Sequence, residues 1–533
     1  MTSFHFKGKS FLQNYHHTVK FHKLKATKKG VGQTCALDDN LLIQGDNLKA
    51  LKALLPTHAG KVKCIYIDPP YNTGKENWVY NDNVASPMIQ EWLGKVVSED
   101  DLTRHDKWCC MMYPRLVLLR ELLSEDGMIF VSIDDNEAHR LQSMMEEIFG
   151  EENCIARIIW QKKYTQSNDA KFFSATHDHI LCFGKNKELV KINPLSRTEE
   201  QNKRYTNPDN DARGGWKATP LHAKSGSTST ETIFPNGVKW SPPKGTYNRY
   251  AKQTILDAYK DDRIYFGKDG KGTPVMKKFL AEMSNGVIPK SIWLHSEVGN
   301  NDSARRELKE IFYPENPFDT PKPSTLVQRI IALSTSPDDI ILDSFAGSGT
   351  TAHAVLALNK EDGGNRKFIL VECEDYADEI TGERVRRVIE GVPNAKDKAL
   401  HKGLGGTFSY YELGEELEMD KILEGKDLPN YEELAKYAFF TSTGESWDQN
   451  NSKRDTYHIG SSSTFEVFLL YEQDKEKLKQ LALNLDFATE IHKQFPTKQK
   501  LVFAPACFME EHHLKEYGIR FAQLPFEIYR MAE

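Results

Sequence analysis

Cysteine is scarce in this chain: eight in 533 residues, scattered and never spaced as a CxxC pair. That excludes a zinc ribbon and a disulfide framework, and it suits a reducing compartment. No apolar run approaches the ~18 residues that a membrane span requires. The opening MTSFHFKGKS holds no apolar core of a secretory signal. A soluble, intracellular, cytoplasmic protein is therefore expected. The phosphate-loop pattern GxxxxGKS/T is missing throughout, so nucleotide hydrolysis is not expected. With 27% charged and 39% apolar residues, the composition is globular, which excludes wholesale disorder and fibrous repeats.

What the chain does have is an uneven distribution of charge beneath a net −6. Residues 201–290 carry 16 Lys+Arg against 8 Asp+Glu, whereas 412–433 carry 9 acidic against 2 basic residues. Blocks of opposite sign suit different partners, though a solvated surface accounts for either equally well. The apolar patterning is that of an α/β protein. NLLIQGDN (40–47) reads as a strand running into the helix LKALKALL, and KCIYIDPPYNTG (63–74) as a buried strand stopped by two prolines. GMIFVSID (127–134), RIIWQKK (157–163) and HDHILCFGK (177–185) read as further strands with helical spacing between them. Residues 191–320 lose that periodicity, and strand–helix alternation returns at 323–375. Residues 191–320 therefore read as an insertion between two halves of one domain, 41–190 and 321–400. An arm (1–40) precedes the first half, and a strand-and-helix region (401–533) follows the second.

Two segments carry chemistry. In ILDSFAGSGTT (341–351) a strand ends at Asp343 and Phe345 and a helix starts near Thr350. Gly347 and Gly349 clear space for a ligand at the helix N-terminus, although a tight turn alone also uses glycine. Glu372 closes the next strand, 25 residues after Gly347, where a carboxylate accepts hydrogen bonds from ribose hydroxyls. The second segment is Asp68-Pro69-Pro70-Tyr71. Its prolines stiffen the strand exit and leave the Pro69 carbonyl as an outward acceptor beside the Asp68 carboxylate. An exocyclic aromatic amine is a poor nucleophile because its lone pair is delocalised. Two acceptors on its N–H groups favour an attack-ready nitrogen and stabilise the positive charge that develops there. Tyr71 offers a face for a flipped base.

DPPY with FAGSGT resembles the S-adenosyl-L-methionine-dependent amino-methyltransferases that act on DNA. DPPY preceding FAGSGT, with a long insertion between them, resembles the β class of adenine-N6 enzymes. DPPYNTGKENWVYNDN, LLSEDGMIFVSIDDNE, FFSATHDHILCFGK, KPSTLVQRII and FAGSGTTAHAVLALNKEDGGNRKFILVE resemble segments of the modification (Mod) subunits of type III restriction-modification systems, as do LVFAPA and QLPFEIYR. The resemblance implies a Rossmann-like class I methyltransferase α/β fold with circularly permuted motif order. It also implies a target-recognition domain in the insertion and an α+β region at the C-terminus.

S-adenosyl-L-methionine is the implied cofactor, with no metal. The implied partners are double-stranded DNA, a second copy of the chain and a restriction (Res) subunit. Asp68 and Pro69, in a turn completed by Pro70, would hold the amine, and Tyr71 would stack on the base. Phe345, Gly347, Gly349 and Thr350 would lie in the loop that wraps the methionine part of the cofactor, Glu372 would meet its ribose and Asp46 its adenine, and Asp343 would belong to the same cofactor site. Lys322 and Pro323 would open the covering helix. Asp46 reads also as a helix N-cap, and Lys322 as an ordinary helix-start lysine. His177 and Asp178 sit just before a strand and Phe172 and Phe173 precede them; one of these aromatics suits the other face of the base, and core packing accounts for them equally well.

Trp216, Trp240, Tyr247, Arg249 and Tyr250 suit DNA contacts within the insertion, ENWVYNDN (76–83) a DNA-facing loop, and EELAKYAFF (432–440) a protein contact. Three rivals remain at this point: an orphan methyltransferase, a cytosine-N4 enzyme (where SPP is commoner than DPP), and a catalytically silent DNA-recognition subunit.

Overall fold

The apolar strands read from the sequence assemble side by side in one ten-stranded sheet. The computed structural model describes residues 4–32, 35–73, 104–166, 170–283, 286–417 and 428–524. The segment ENWVYNDN lies outside the described residues, as do parts of the acidic block and of QLPFEIYR. Two compact units result, residues 193–290 and the remainder.

In the larger unit the strands are β1 (His22–Ala26), β2 (Leu41–Gln44), β3 (Val62–Ile67), β4 (Leu123–Ile133), β5 (Cys154–Trp160), β6 (Asp178–Gly184), β7 (Ile292–Trp293), β8 (Ile340–Asp343), β9 (Lys367–Glu372) and β10 (Ser409–Glu416). Their spatial order is β1-β10-β2-β9-β8-β3-β4-β6-β5-β7. Strands β10, β2, β9, β8, β3 and β4 run parallel, and β6 runs against them. This is the Rossmann-like arrangement that the resemblance implies. The permuted order is visible directly: β3, which leads into DPPY, precedes β8, which leads into the glycine loop. From β8 the chain crosses to β9 on one side, and from β3 to β4 on the other. The gap between β8 and β3 is thus a topological switch point, where the C-terminal strand ends leave a crevice.

Sequence accounts for the helices that cover the sheet. Helix α1 (Asn47–His58) is capped by Asp46, whose carboxylate accepts from the Lys49 N–H at 3.0 Å, and it buries Leu48, Leu51, Leu54 and Leu55. Helices α2 (Arg104–Leu122) and α3 (Ala138–Phe149) follow, then α4 (Asn301–Ile311), α5 (Ser324–Ser334), α6 (Thr350–Asp362) and α7 (Glu383–Glu390). Helix α6 stops at Gly363, in the left-handed conformation that glycine tolerates. No helix among the described residues is long and apolar enough to cross a membrane.

Two segments fall where composition did not put them. Residues 291–320 read as part of the insertion, but they supply β7, which pairs with β5, and α4, which packs on α7. The expected protein-contact face at 432–440 is internal. The helix Tyr431–Thr443 packs on α1 and buries Tyr431, Leu434, Tyr437 and Phe439. Beyond it lies a four-stranded sheet of His458–Ser461, Phe465–Leu469, Gln499–Ala504 and Ile519–Gln523.

The smaller unit holds a three-stranded antiparallel sheet (Trp216–Pro220, Val275–Phe279, Ile264–Tyr265) around Leu221, Phe234, Trp240, Ile255 and Phe266. Its acidic residues are largely used internally. Buried Lys277 pairs with Asp209 at 2.6 Å and Asp211 at 2.9 Å, and Arg263 pairs with Asp261 and Glu282. Lys217, Lys224, Lys239, Lys244, Lys268, Lys271 and Lys278 remain exposed.

Candidate active site

The strand ends at the switch point open on a cavity of about 630 Å³. The β3 exit contributes Asp68, Pro69, Pro70 and Tyr71, and the β8 exit contributes Asp343, Phe345, Gly347 and Thr350. Asp134 follows β4, Lys162 follows β5, and Asp178 begins the antiparallel β6, so all three reach the same end of the sheet. Lys322, Phe318 and Tyr376 close other parts of the wall.

The DPPY turn is fixed from several sides. The Trp108 indole donates to the Pro70 carbonyl at 2.7 Å, while among the described residues no donor reaches the Pro69 carbonyl. Lys322 Nζ donates to Asp68 Oδ2 and lies 5.1 Å from the centre of the Tyr71 ring, within cation–π range. Asp68 Oδ1 is buried and has no hydrogen-bond partner among the described residues. A buried carboxylate oxygen left this way is costly unless a ligand donor fills it. The Tyr71 hydroxyl donates to Asp178 Oδ2 at 3.4 Å, and Lys162 Nζ donates to Asp178 Oδ1 at 2.5 Å. Burial, then the Asp68 and Asp178 charges, push the Tyr71 phenol far above its ordinary range. It is a neutral ring at physiological pH. Burial likewise raises Asp178, against the pull of Lys162 and Lys322.

The glycine loop needs its glycines. Gly349 has φ +78°, and a Cβ there would lie 3.1 Å from the Thr381 carbonyl oxygen. Gly347 has φ +51°, and its Cβ would lie 3.2 Å from the Phe318 ring. The Gly347 N–H donates to Glu372 Oε2 at 2.7 Å, and the Cys373 and Glu374 N–H groups donate to Oε1 at 2.9 and 3.1 Å. Burial nevertheless pushes Glu372 up to about 7, outweighing those bonds. Asp343, buried beneath the loop, is also raised to about 7, though it accepts from Thr351 Oγ1 at 2.5 Å and from the Phe345 N–H at 3.0 Å. Arg384, fully buried, donates to Ser348 Oγ at 3.0 Å and to Thr350 Oγ1 at 2.8 Å. No sequence signal pointed to it.

Ten of the residues singled out from sequence therefore meet on one cavity: Asp68, Pro69, Pro70, Tyr71, Asp178, Lys322, Asp343, Phe345, Gly347 and Thr350. Gly349, Pro323 and Glu372 stand behind its wall. Asp46 does not line it; besides capping α1 it pairs with Arg115 at 3.4 Å. Asp178 lines the cavity, whereas Phe172 and Phe173 are neither core residues nor lining. His177 lies with Asp135 and His179 in a group whose ligating atoms fall within 4.8 Å of one another, and His179 Nε2 is 2.8 Å from Asp135 Oδ1. Tyr66, Asp134, Lys162, Phe318, Glu374 and Tyr376 escaped the sequence reading; the usable signal for Asp134 and Lys162 was a polar residue just past a strand.

In the smaller unit Trp216 is 4% and Trp240 6% exposed. The Trp216 indole donates to Asp209 at 2.8 Å and packs on Tyr265, so both indoles serve that unit's interior rather than a bound base. Tyr247 and Tyr250 are half-buried, and Arg249 is exposed.

A profile of the DNA methylase family matches residues 62–383, which span both halves of the cavity and the insertion. The chain belongs to the DNA methylase family. Among its relatives, the StyLTI Mod subunit of a type III restriction-modification enzyme from Salmonella typhimurium is 36% identical over 407 residues, covering 70% of this chain and 60% of its own. The EcoPI Mod subunit from Escherichia phage P1 is 32% identical over 423 residues, covering 68% and 64%. The type II methyltransferase M.KpnI from Klebsiella pneumoniae is 31% identical over 353 residues, covering 62% and 79%. The chain thus spans about three-fifths of the length of the type III relatives it matches.

Proposed function

We propose that this chain is a site-specific DNA methyltransferase that moves a methyl group from S-adenosyl-L-methionine to adenine N6, as the modification and specificity subunit of a type III restriction-modification system. One observation carries the reading: DPPY and the glycine loop open on a single cavity in which Asp68 Oδ1 is buried and unpartnered. The donor set fits both ligands. Phe345, Gly347 and Thr350 would hold the methionine end of the cofactor, with Glu372 behind them for the ribose. Asp68 Oδ1 and the Pro69 carbonyl would accept the two N–H groups of the amine, and the neutral Tyr71 ring would take the base face.

When bound, the cofactor supplies a methyl group on a sulfonium; its S–C bond breaks as the amine lone pair forms N–C, and one amine proton is released. The chain's own part is positioning. Lys322 takes Asp68 Oδ2 and thereby leaves Oδ1 for the substrate, while Trp108 holds the turn from behind. The exposed lysines of the smaller unit suit phosphate contacts, which position DNA without reading its sequence. The proposed working assembly is a homodimer on double-stranded DNA in the bacterial cytoplasm, joined by a Res subunit. M.KpnI, matched over 79% of its length, favours a second reading: a methyltransferase acting without that partner.

The test is modified-base sequencing of a methylation-free bacterial host expressing the chain. N6-methyladenine in one short asymmetric motif on one strand is expected. Marks on both strands of a palindrome would favour the second reading, and N4-methylcytosine, or no mark, would overturn the adenine assignment.

A further inference from the structure

The excursion between β5 and β6 begins and ends at the cavity. Lys162 and Asp178 line it, and beside them the Lys163 N–H donates to the Thr176 carbonyl at 3.2 Å, closing the neck. Within the excursion stand Phe172 and Phe173, 84% and 97% exposed. Two neighbouring phenylalanines held almost wholly in water add nothing to this chain's core, and apolar surface left so exposed marks an interaction site. Charge around them narrows the partner. Lys171 Nζ lies 5.5 Å from the centre of the Phe172 ring, and Lys163 and Lys171 are themselves exposed. A partner that offers flat apolar faces between anionic rails is a nucleic-acid duplex.

We propose that Phe172 and Phe173 form an apolar wedge that enters the DNA base stack when the target base leaves it for the cavity. The proposal rests on the DNA-methyltransferase reading and extends it to the step before chemistry. Extruding a base leaves its two neighbours without a stacking partner, and phenylalanine side chains can occupy such a gap. Stacking on an aromatic ring is indifferent to base identity, so the wedge needs no sequence match of its own. Its placement follows from the neck: the same short segment carries Lys162 and Asp178 on the cavity and the phenylalanines outside it.

The test uses duplexes carrying the motif that the chain selects by binding from random duplexes, which is defined whether or not a methyl group is transferred, each adenine of the motif serving in turn as the target. One has 2-aminopurine at the target position, one has the target adenine normally paired, and one has it opposite an abasic site. Phe172→Ala/Phe173→Ala should melt at the wild-type temperature and keep cofactor affinity, since both side chains are exposed. On the paired duplex it should transfer methyl groups about 10- to 100-fold more slowly and lose most of the 2-aminopurine brightening. Opposite the abasic site its rate should return to within about threefold of wild type, because that base leaves the helix cheaply. Phe172→Leu/Phe173→Leu should keep most of the activity. An equal loss on both duplexes, or an unchanged rate on the paired one, overturns the wedge. A double alanine variant that methylates normally but shifts the mass seen by light scattering assigns the pair to a protein contact instead. A wild-type chain that brightens 2-aminopurine yet transfers no methyl group removes the methyltransferase reading and leaves the wedge standing.

Discussion

Lys322 and Asp68 stand 254 positions apart in the chain and form one ion pair at the cavity. Lysine claims one carboxylate oxygen, so the other is presented in a single orientation. Asp68→Ala should slow methyl transfer about 100- to 1,000-fold, the cost of removing a preorganised group from a developing charge. Single-turnover rates measure this, and calorimetry should find cofactor affinity within about threefold of wild type. Lys322→Met should slow transfer less, by about tenfold, because Asp68 survives but loses its anchor.

The raised carboxyls predict a pH dependence. Glu372 moves from 4.5 to about 7 on folding, so the folded state binds the extra proton across that window. Its contribution is complete below 4.5 and lost as pH rises through about 7, a change on the order of 3 kcal/mol. Buried His58, lowered from 6.5 to about 4, tilts stability the opposite way. The clean measurement is therefore the difference in denaturant midpoint between wild type and Glu372→Gln from pH 5 to 8, which should grow in the variant's favour as pH rises. Ribose hydroxyls donate to the ionised form, so cofactor affinity should rise with pH up to about 7 in wild type and rise less steeply in the variant, where Asp343 alone of the two still titrates there.

Gly349→Ala combines an unfavourable left-handed backbone with a Cβ 3.1 Å from the Thr381 carbonyl. It should cost about 1–3 kcal/mol in stability. The strain sits in the loop, so cofactor affinity should fall about tenfold or more. Thermal melts with and without cofactor separate the two effects.

Arg384 holds Ser348 and Thr350 from below and faces Glu307 at 3.6 Å. Burial pushes Glu307 up, yet His353 and Arg384 hold it down at about 2. Arg384→Met would leave that carboxylate short of a buried partner and should destabilise the fold by about 3–5 kcal/mol. Adding Glu307→Gln should recover part of the loss, a non-additivity visible in a double-mutant cycle.

The DPPY turn and the glycine loop were legible because their residues are contiguous and their backbone demands, two prolines and two left-handed glycines, are written in residue type. Strand β3 and helix α1 were legible from apolar patterning. Lys162, Phe318 and Tyr376 were not: each reaches the cavity from a different element, and only the sheet order brings them together. Trp216 and Trp240 misled because an aromatic among lysines looks the same whether it packs inward or waits for a base; a unit this small needs its indoles for a core. Residues 291–320 misled because proline, glycine and polar residues also connect short elements such as β7 to a sheet edge.

The neighbours β3 and β8 are separated in sequence by the whole insertion and more, some 270 positions. During synthesis at about 5–20 residues per second, β3 waits roughly 15–60 s for its partner. Over that interval β3, β4, β6 and β5 can already pair, leaving the apolar strand Val62–Ile67 as a bare edge beside the ribosome. The segment that ends in the DPPY turn is therefore also where the nascent chain is most open to aggregation, and where a chaperone would have most to protect.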